Sequence, residues 1–498
     1  MDFSLLTVSM DSNLKDSFET VCMDVGIDME KAVNIFANAV VDQHRIPFEI
    51  EMDDVCQKIE ESYEKGKGEF EKSNYEKAFG YWSYAANHNH VFSQDKLGYM
   101  YKNGLGVDSD IIKALKWYRK AADQGYAPSQ YSLGLMFENA DGVSQNYTEA
   151  MKWYRKAADD GYAQAQLHIG KMFYYGNGVG KDDAEAFGWF RLAAEKELAE
   201  AQNLLGIMYD NGYVVSQDFV KAVEWYSLAV GQGDIYAQGN LGLKYQYGQG
   251  VEQNYAEAIR LYRLASEKGN CYAQYNLGVM YQYGYGVNPN YTEAAQLYRL
   301  SAEQGYCYAQ SQLAFLYQKG LGVDKNYDEA VEWYRRAAEQ GDATAQYELG
   351  IMYELGDEVP IDSVEALCWI REAANQGNVY AQETLADAYC NGRFGLQINY
   401  NETFRWFEKA AHNGSAQSEW NLGYMYENGF GVEKDDLESY TWYYLAAEHG
   451  YSQAQNDVGL CYYFGRGVTQ DESEARKWLQ KAADSGLELA KENLRKLF

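Results

Sequence analysis

The chain has 498 residues, with 73 Asp and Glu against 43 Lys and Arg, a formal net charge of −30. That balance disfavours nucleic acid and anionic membrane as partners of the main body, because phosphate binding depends on positive charge; neutral or basic proteins fit better. Only four prolines beside 47 tyrosines and 11 tryptophans suit a helical array, no apolar run approaches a membrane span, and seven cysteines without a C-x-x-C pair make no disulfide framework. The opening MDFSLLTVSMD has no basic region followed by an apolar run, so a cytoplasmic chain is expected.

Residues 1 to about 50 follow a pattern of their own. Leu6, Val8 and Met10 alternate with Leu5, Thr7 and Ser9, the two-residue period of a short strand with one buried face. A helix is predicted from about Ser12, with Leu14, Phe18, Val21 and Val25 on its apolar face and Gly26 as its stop. Asp28 then caps a second helix presenting Ala32, Ile35, Phe36, Ala39 and Val40, ended by Pro47. One strand and two helices cannot close a core alone, so a second copy is expected to pair with this segment.

The run from Asp11 to the ending IPFE at Ile46 to Glu49 resembles the ribbon-helix-helix domain of RelB/DinJ antitoxins. The resemblance implies a dimerisation module over residues 1–52 whose outward strand residues, here Leu5, Thr7 and Ser9, read DNA bases. Two departures weaken DNA binding: Ser9 stands where the family carries an arginine, and Asp28 and Glu30 stand where it holds a phosphate. Residues 1–50 carry three Lys and Arg against nine Asp and Glu, a net −6.

Residues 53–94 look like a degenerate capping repeat, with Tyr75, Ala78, Trp82, Ala85 and Ala86 matching a repeat's second helix and no Leu-Gly in the first. From 95 to 498 eleven repeats follow. Their Leu-Gly glycine position falls at 98, 134, 170, 206, 242, 278, 314, 350, 386, 423 and 459, alanine replacing glycine at 314 and 386. All steps are 36 except one of 37, whose extra residue lies between Gly392 and Gly395. Such a period signals stacked units sharing a core. The first helix carries LG-x-x-[YF], a G-x-G-V turn follows, and the second helix carries A-x-x-W-Y-x-x-A-A before a glycine stop, as in Ala114, Trp117, Tyr118, Ala121, Ala122 and Gly125. A final helix is predicted in LELAKENLRKLF.

This pattern resembles the Sel-1-like repeat family, relatives of tetratricopeptide repeats, over about 400 residues. The resemblance implies an all-α fold, an α-solenoid of helix-turn-helix repeats behind a small ribbon-helix-helix module. Three departures affect local regularity: Val359 in place of the turn glycine after Gly356, Ile370 after Trp369 where tyrosine is usual, and a missing first glycine between Asn139 and Gly142.

Chemistry-bearing groups are sparse. The G-x-G-V turns follow helices and lack a Lys-Ser/Thr, so they read as structural turns and not phosphate loops. His88 and His90 have metal-like spacing but no cysteine beside them and read as solvent-exposed, and His44, His168, His412 and His449 are scattered. Trp153 and Tyr154 have core spacing. No catalytic set, cofactor site or metal site is expected.

The positions at −3, +1 and +4 from the glycine lie on one helix stripe, which by resemblance to tetratricopeptide repeats faces the concave groove. It carries Tyr131, Leu135, Tyr275, Val279, Phe315, Tyr347, Ile351, Trp420 and Tyr424, with Tyr236, Tyr272, Tyr308 and Tyr380 one turn earlier. Aromatics there suggest recognition; packing between units is the alternative. Tyr131, Tyr275, Phe315, Tyr347, Trp420 and Tyr424 are the expected anchors, and Glu138, Asp210, Glu354, Asp387 and Glu427 would attract Lys or Arg. The sequence therefore points to a non-enzymatic interaction scaffold binding a neutral or basic peptide or helix, dimeric through residues 1–52. The rival reading is an antitoxin-like DNA-binding regulator with the repeats as sensor.

Overall fold

The computed structural model describes residues 18, 22, 28, 31–35, 54–356 and 360–498, and among them there is no strand. Asp28 Oδ1 accepts the Lys31 N–H at 2.7 Å, so Asp28 caps the helical stretch 31–35 as expected. The strand expected at Leu5, Thr7 and Ser9 and most of the two helices expected after it lie outside the described residues, as does Val359.

The chain divides into two compact units, Met1–Trp189 and Phe190–Phe498. The same rule builds both. A pair of helices, Asp54–Glu71 and Tyr75–Asn87, is followed by eleven pairs, from Val91–Asn103 with Ile111–Asp123 to Ser452–Phe464 with Glu472–Asp484, and then by Glu488–Leu497. Each first helix of an ordinary repeat stops where the next residue turns left-handed, as at Gly104 with φ 68°, a conformation that costs other L-residues about 1–2 kcal/mol. Second helices open on an Asn or Asp whose side chain takes an orphan backbone donor: Asp110 accepts from Lys113 at 2.9 Å and Asn146 from Glu149 at 3.0 Å.

The Leu-Gly glycine makes room for an aromatic ring. A Cβ built on Gly134 would lie 2.3 Å from the Tyr154 ring, and one on Gly278 would lie 2.7 Å from Tyr298. The tyrosine is thereby buried, and its hydroxyl finds the residue four after the glycine: Tyr262 donates to Gln246 at 2.8 Å and Tyr298 to Gln282 at 2.6 Å.

A second device is the glutamine four residues before the glycine. Gln310 donates to the Ala302 carbonyl at 3.1 Å and accepts from Gln340 at 2.8 Å; Gln346 donates to Ala338 at 3.0 Å and accepts from Gln376 at 2.7 Å. One amide thus satisfies an open carbonyl at the end of the preceding repeat's second helix and links to the cap of its own second helix. At the corresponding place Glu419 replaces glutamine, and His449 replaces the capping partner, with Nδ1 2.8 Å from the carboxylate.

The departures have local solutions. Ile370 fills the tyrosine's space, with Cγ1 2.6 Å from a Cβ built on Gly350. Ala140 adopts the left-handed turn itself, at φ 62°. The capping pair does contain a notch glycine: a Cβ on Gly66 would lie 2.5 Å from Trp82, whose indole donates to the Tyr63 carbonyl at 3.1 Å. Its shorter turn shifted the glycine out of the expected register. Arg476 stands where other repeats carry an apolar residue at this helix position, such as Val331 and Leu367, and lies 4.6 Å from the Phe498 ring.

Val214 is a further departure, a β-branched residue at φ 75° in the second turn-glycine position. Val214→Gly is expected to raise stability by about 1–2 kcal/mol, because glycine adopts this conformation without steric cost. An unchanged urea midpoint would show that the turn carries no strain.

Candidate protein-interaction face

Within each unit the first helices of successive repeats present a face. In the first unit Tyr131 is half-buried; in the second Tyr275, Phe315, Tyr347 and Trp420 are half-buried and Tyr424 is exposed. Tyr275 packs 5.7 Å from Tyr298 and 5.2 Å from Tyr306, Tyr347 stacks on Tyr380 at 6.1 Å, and Trp420 stacks on Tyr424 at 6.0 Å. Phe315 lies against the core cluster around Leu313 and Trp333. The rings are therefore partly packing and partly surface. The row one turn earlier, Tyr236, Tyr272, Tyr308 and Tyr380, is more open than any of them.

A polar ladder fixes this face. The residue at −3 in one repeat meets the residue at −2 in the next: the Tyr131 hydroxyl lies 3.1 Å from His168 Nε2, Asn240 donates to Asn203 at 2.9 Å, and the Trp420 indole donates to Asp457 at 2.8 Å. His168, Asn240 and Asp457 were absent from the sequence-predicted stripe. Their spacing of 37, one period plus one, is the signal that would have found them.

The carboxylates expected to await a basic partner already have cations and donors inside the chain. Glu138 accepts from the Tyr154 hydroxyl at 2.5 Å and lies 3.3 Å from His168 Nδ1; burial alone would raise its carboxyl, but these hydrogen bonds hold it below the usual range. Asp210 meets Lys244 at 2.5 Å and Tyr226 at 3.2 Å. Arg393 bridges Glu354 and Asp387, and Arg466 meets Glu427 at 2.6 Å. Stacking repeats brought cations 34 to 39 residues away onto Asp210, Glu354 and Glu427, while the His168 ring reaches Glu138 and Asp387 takes Arg393 from six residues on; these acids already have partners within the chain.

Asp457 yields a pH test. Burial raises its carboxyl above the ordinary value, against the hydrogen bonds from Trp420 and Asn456. The folded chain holds this proton more tightly than the unfolded chain, so stability falls as pH rises from the ordinary carboxylate value through the raised one. Asp457→Asn keeps an acceptor for Trp420 and removes the buried charge. It is expected to raise the melting temperature at neutral pH, the gain disappearing once pH falls below about 4. A gain independent of pH would refute the buried-charge account.

His90 differs from its expected exposure. Its ring is half-buried, 4.8 Å from Tyr63 and 5.5 Å from Phe92, and Nδ1 caps the helix Val91–Asn103 by accepting from Ser93 at 3.3 Å. Burial lowers its pKa. His88 is exposed, with Nδ1 2.8 Å from the Tyr84 carbonyl. Among the described residues no group of three or more His, Cys, Asp or Glu could hold a metal ion, and no helix is long and apolar enough to cross a membrane.

Eleven consecutive segments, from 91–126 to 452–487, match the Sel1 repeat family model. Residues 3–77 match the RelB antitoxin model, past residue 52 and into the first described helix pair. Among solved structures, a protective antigen present in uropathogenic Escherichia coli strains, displaying an SLR fold, is 38% identical with a TM-score of 0.65, covering 84% of this chain and 90% of that one. A Sel1 repeat protein from Oxalobacter formigenes is 34% identical over 49% of this chain and 99% of that one, with a TM-score of 0.46. A curated ERAD-associated E3 ubiquitin-protein ligase component from Candida glabrata is 54% identical over 37 residues, 7% of this chain and 4% of that protein's length.

Proposed function

The chain belongs to the Sel1 repeat family, whose members generally act as non-catalytic protein-interaction scaffolds, and from that premise we propose that its first-helix face holds a peptide or helix of a neutral or basic partner protein. Residues 1–52 join two copies, which doubles the valence of the face. The supporting observation is the aromatic surface: Tyr424, exposed beside the fixed Trp420, contributes little to the core yet stands ready for contact. Large aromatics lose little rotamer freedom on binding and bring much area to it.

Tyr424 is a cleaner probe than Trp420, because truncating Trp420 also removes a hydrogen bond from Asp457. Tyr424→Ala is expected to weaken binding of a captured partner by about 2 kcal/mol, roughly thirtyfold, while melting stays near that of the parent. Identical partners and affinities for parent and variant would sink the reading. Light scattering tests the dimer separately: the full chain should be twice the mass of a monomer, and deletion of residues 1–52 should halve it.

A second reading rests on the RelB match at residues 3–77: an antitoxin-like regulator whose N-terminal module binds DNA weakly and whose repeats sense a partner. A gel shift on the gene's own upstream DNA, weakened by salt and abolished by deleting residues 1–52, distinguishes it from a pure scaffold.

A further inference from the structure

The geometry points to a polyproline-II segment, uncharged and rich in proline, as the ligand of the tyrosine row formed by Tyr236, Tyr272 and Tyr308. This deepens the scaffold reading and rests on it.

Charge is the first reason. The three consecutive first helices Ile235–Tyr247, Cys271–Tyr283 and Cys307–Lys319 contain no carboxylate, and their sole cations are the buried Lys244 and the terminal Lys319. In a chain of net charge −30 this is an almost uncharged strip of tyrosine and glutamine. A charged peptide gains nothing here that it would not find elsewhere on the chain. A neutral one meets no repulsion from these helices, and the carboxylates at their margin are Asp234, spent on capping Ile235–Tyr247, and Asp342, near Tyr275 and Cys307.

Ring geometry is the second. Tyr236, Tyr272 and Tyr308 occupy the same position in successive repeats and are 56%, 52% and 53% exposed. Tyr306 stands between two of them, 4.9 Å from Tyr272 and 5.5 Å from Tyr308, its ring steeply inclined to theirs at 67° and 70°. Inclined rings make walls of slots, the shape that proline-rich ligands fill in aromatic-lined grooves. Neighbouring first helices touch through side chains, Asn240 to Asn203 at 2.9 Å and Gln282 to Gln312 at 3.5 Å. A row of rings on successive helices suits an extended ligand, and a polyproline-II helix is extended, at about 3.1 Å per residue.

Hydrogen bonding is the third. Among the described residues, the hydroxyls of Tyr236, Tyr272 and Tyr308 donate to no group of the chain. An α-helical ligand has its carbonyls already bonded internally and offers these donors little. A polyproline-II strand has no internal hydrogen bonds, so its carbonyls are available along its whole length.

The test uses the full chain and a blocked decaproline peptide, with a blocked glycine-serine decamer and a basic amphipathic helical peptide as comparators. Decaproline should bind about tenfold or more tightly than the glycine-serine peptide and than the helical one, with little response to salt. Tyr272→Ala/Tyr308→Ala should lose that preference. Tyr272→Phe/Tyr308→Phe, which retains the rings, should weaken decaproline by several-fold and also covers the case in which the alanine pair fails to fold. Decaproline binding no better than the glycine-serine peptide, or unchanged by either pair, overturns the proposal. So does tighter binding of the helical peptide. If decaproline fails while Tyr424→Ala still loses its partner, the scaffold reading survives and the proline-rich ligand alone is refuted.

Discussion

Tyr298→Ala is expected to destabilise its repeat by about 3–5 kcal/mol, the range for removing a large, fully buried ring. Tyr298 has no exposed surface, its ring fills the space left by Gly278, and its hydroxyl donates to Gln282. Burial pushes the phenol far above its ordinary pKa, so the hydroxyl remains a donor at any working pH. Removing the ring leaves both a cavity and an acceptor without its donor. Tyr298→Phe keeps the packing and should cost about 1 kcal/mol, the net value of one hydrogen bond. Tyr298→Leu should fall between them, since Leu479 fills the same place over Gly459 in the last full repeat. Each repeat contacts chiefly its neighbours, so the damage should be local. Hydrogen exchange should accelerate in Cys271–Tyr283 and Tyr291–Glu303 before distant helices respond. An alanine variant no weaker than the phenylalanine one would show that the ring is not the keystone of the repeat.

Lys244→Ala is expected to cost a similar 3–5 kcal/mol, for an electrostatic reason. Lys244 lies two residues after its Leu-Gly glycine, where Met100, Met136, Met172, Met208 and Met280 are buried in other repeats. Only 7% of its side chain is exposed; the ammonium meets Asp210 at 2.5 Å and Gln249 at 2.9 Å and lies 4.8 Å from the Phe219 ring. Alanine would empty a core position and leave Asp210 mostly enclosed with only the Tyr226 hydroxyl. Replacing both partners, as Lys244→Met with Asp210→Asn, restores the methionine of the other repeats and removes the orphan charge. That pair should fall within about 1–2 kcal/mol of the parent, because a buried ion pair contributes little over a well-packed apolar equivalent. Urea melts of the two single variants and the double variant give the coupling. Simple additivity would mean that water already screens the pair.

Among the described residues, the two helices of each ordinary repeat and their stops were legible in the chain. A glycine at φ 68° or an Asp taking a backbone donor three residues on needs no information beyond its own neighbourhood, so a period of 36 in such signals locates each element. The notch pairing of Gly134 with Tyr154 was legible in outline for the same reason: a small residue and a large apolar one recur at these two positions. Gly66 escaped because the capping turn is shorter and breaks the period.

Local signals along the chain thus fix the repeat, its two helices and the aromatic composition of its first helices. Which of those side chains serve packing depends on how the helices stack. Glu138, Asp210 and Glu427 looked available along their own helices, yet His168, Lys244 and Arg466 reach them from the following repeat. Trp420 was an expected anchor with packing as the alternative, and its indole donates to Asp457 in the next repeat. These partners differ in residue type from repeat to repeat, so the repeat pattern does not name them, although a spacing of 37 locates His168 and Asp457. They meet because stacked helices come within side-chain reach, and that distance is set by packing between units and not by any local backbone preference.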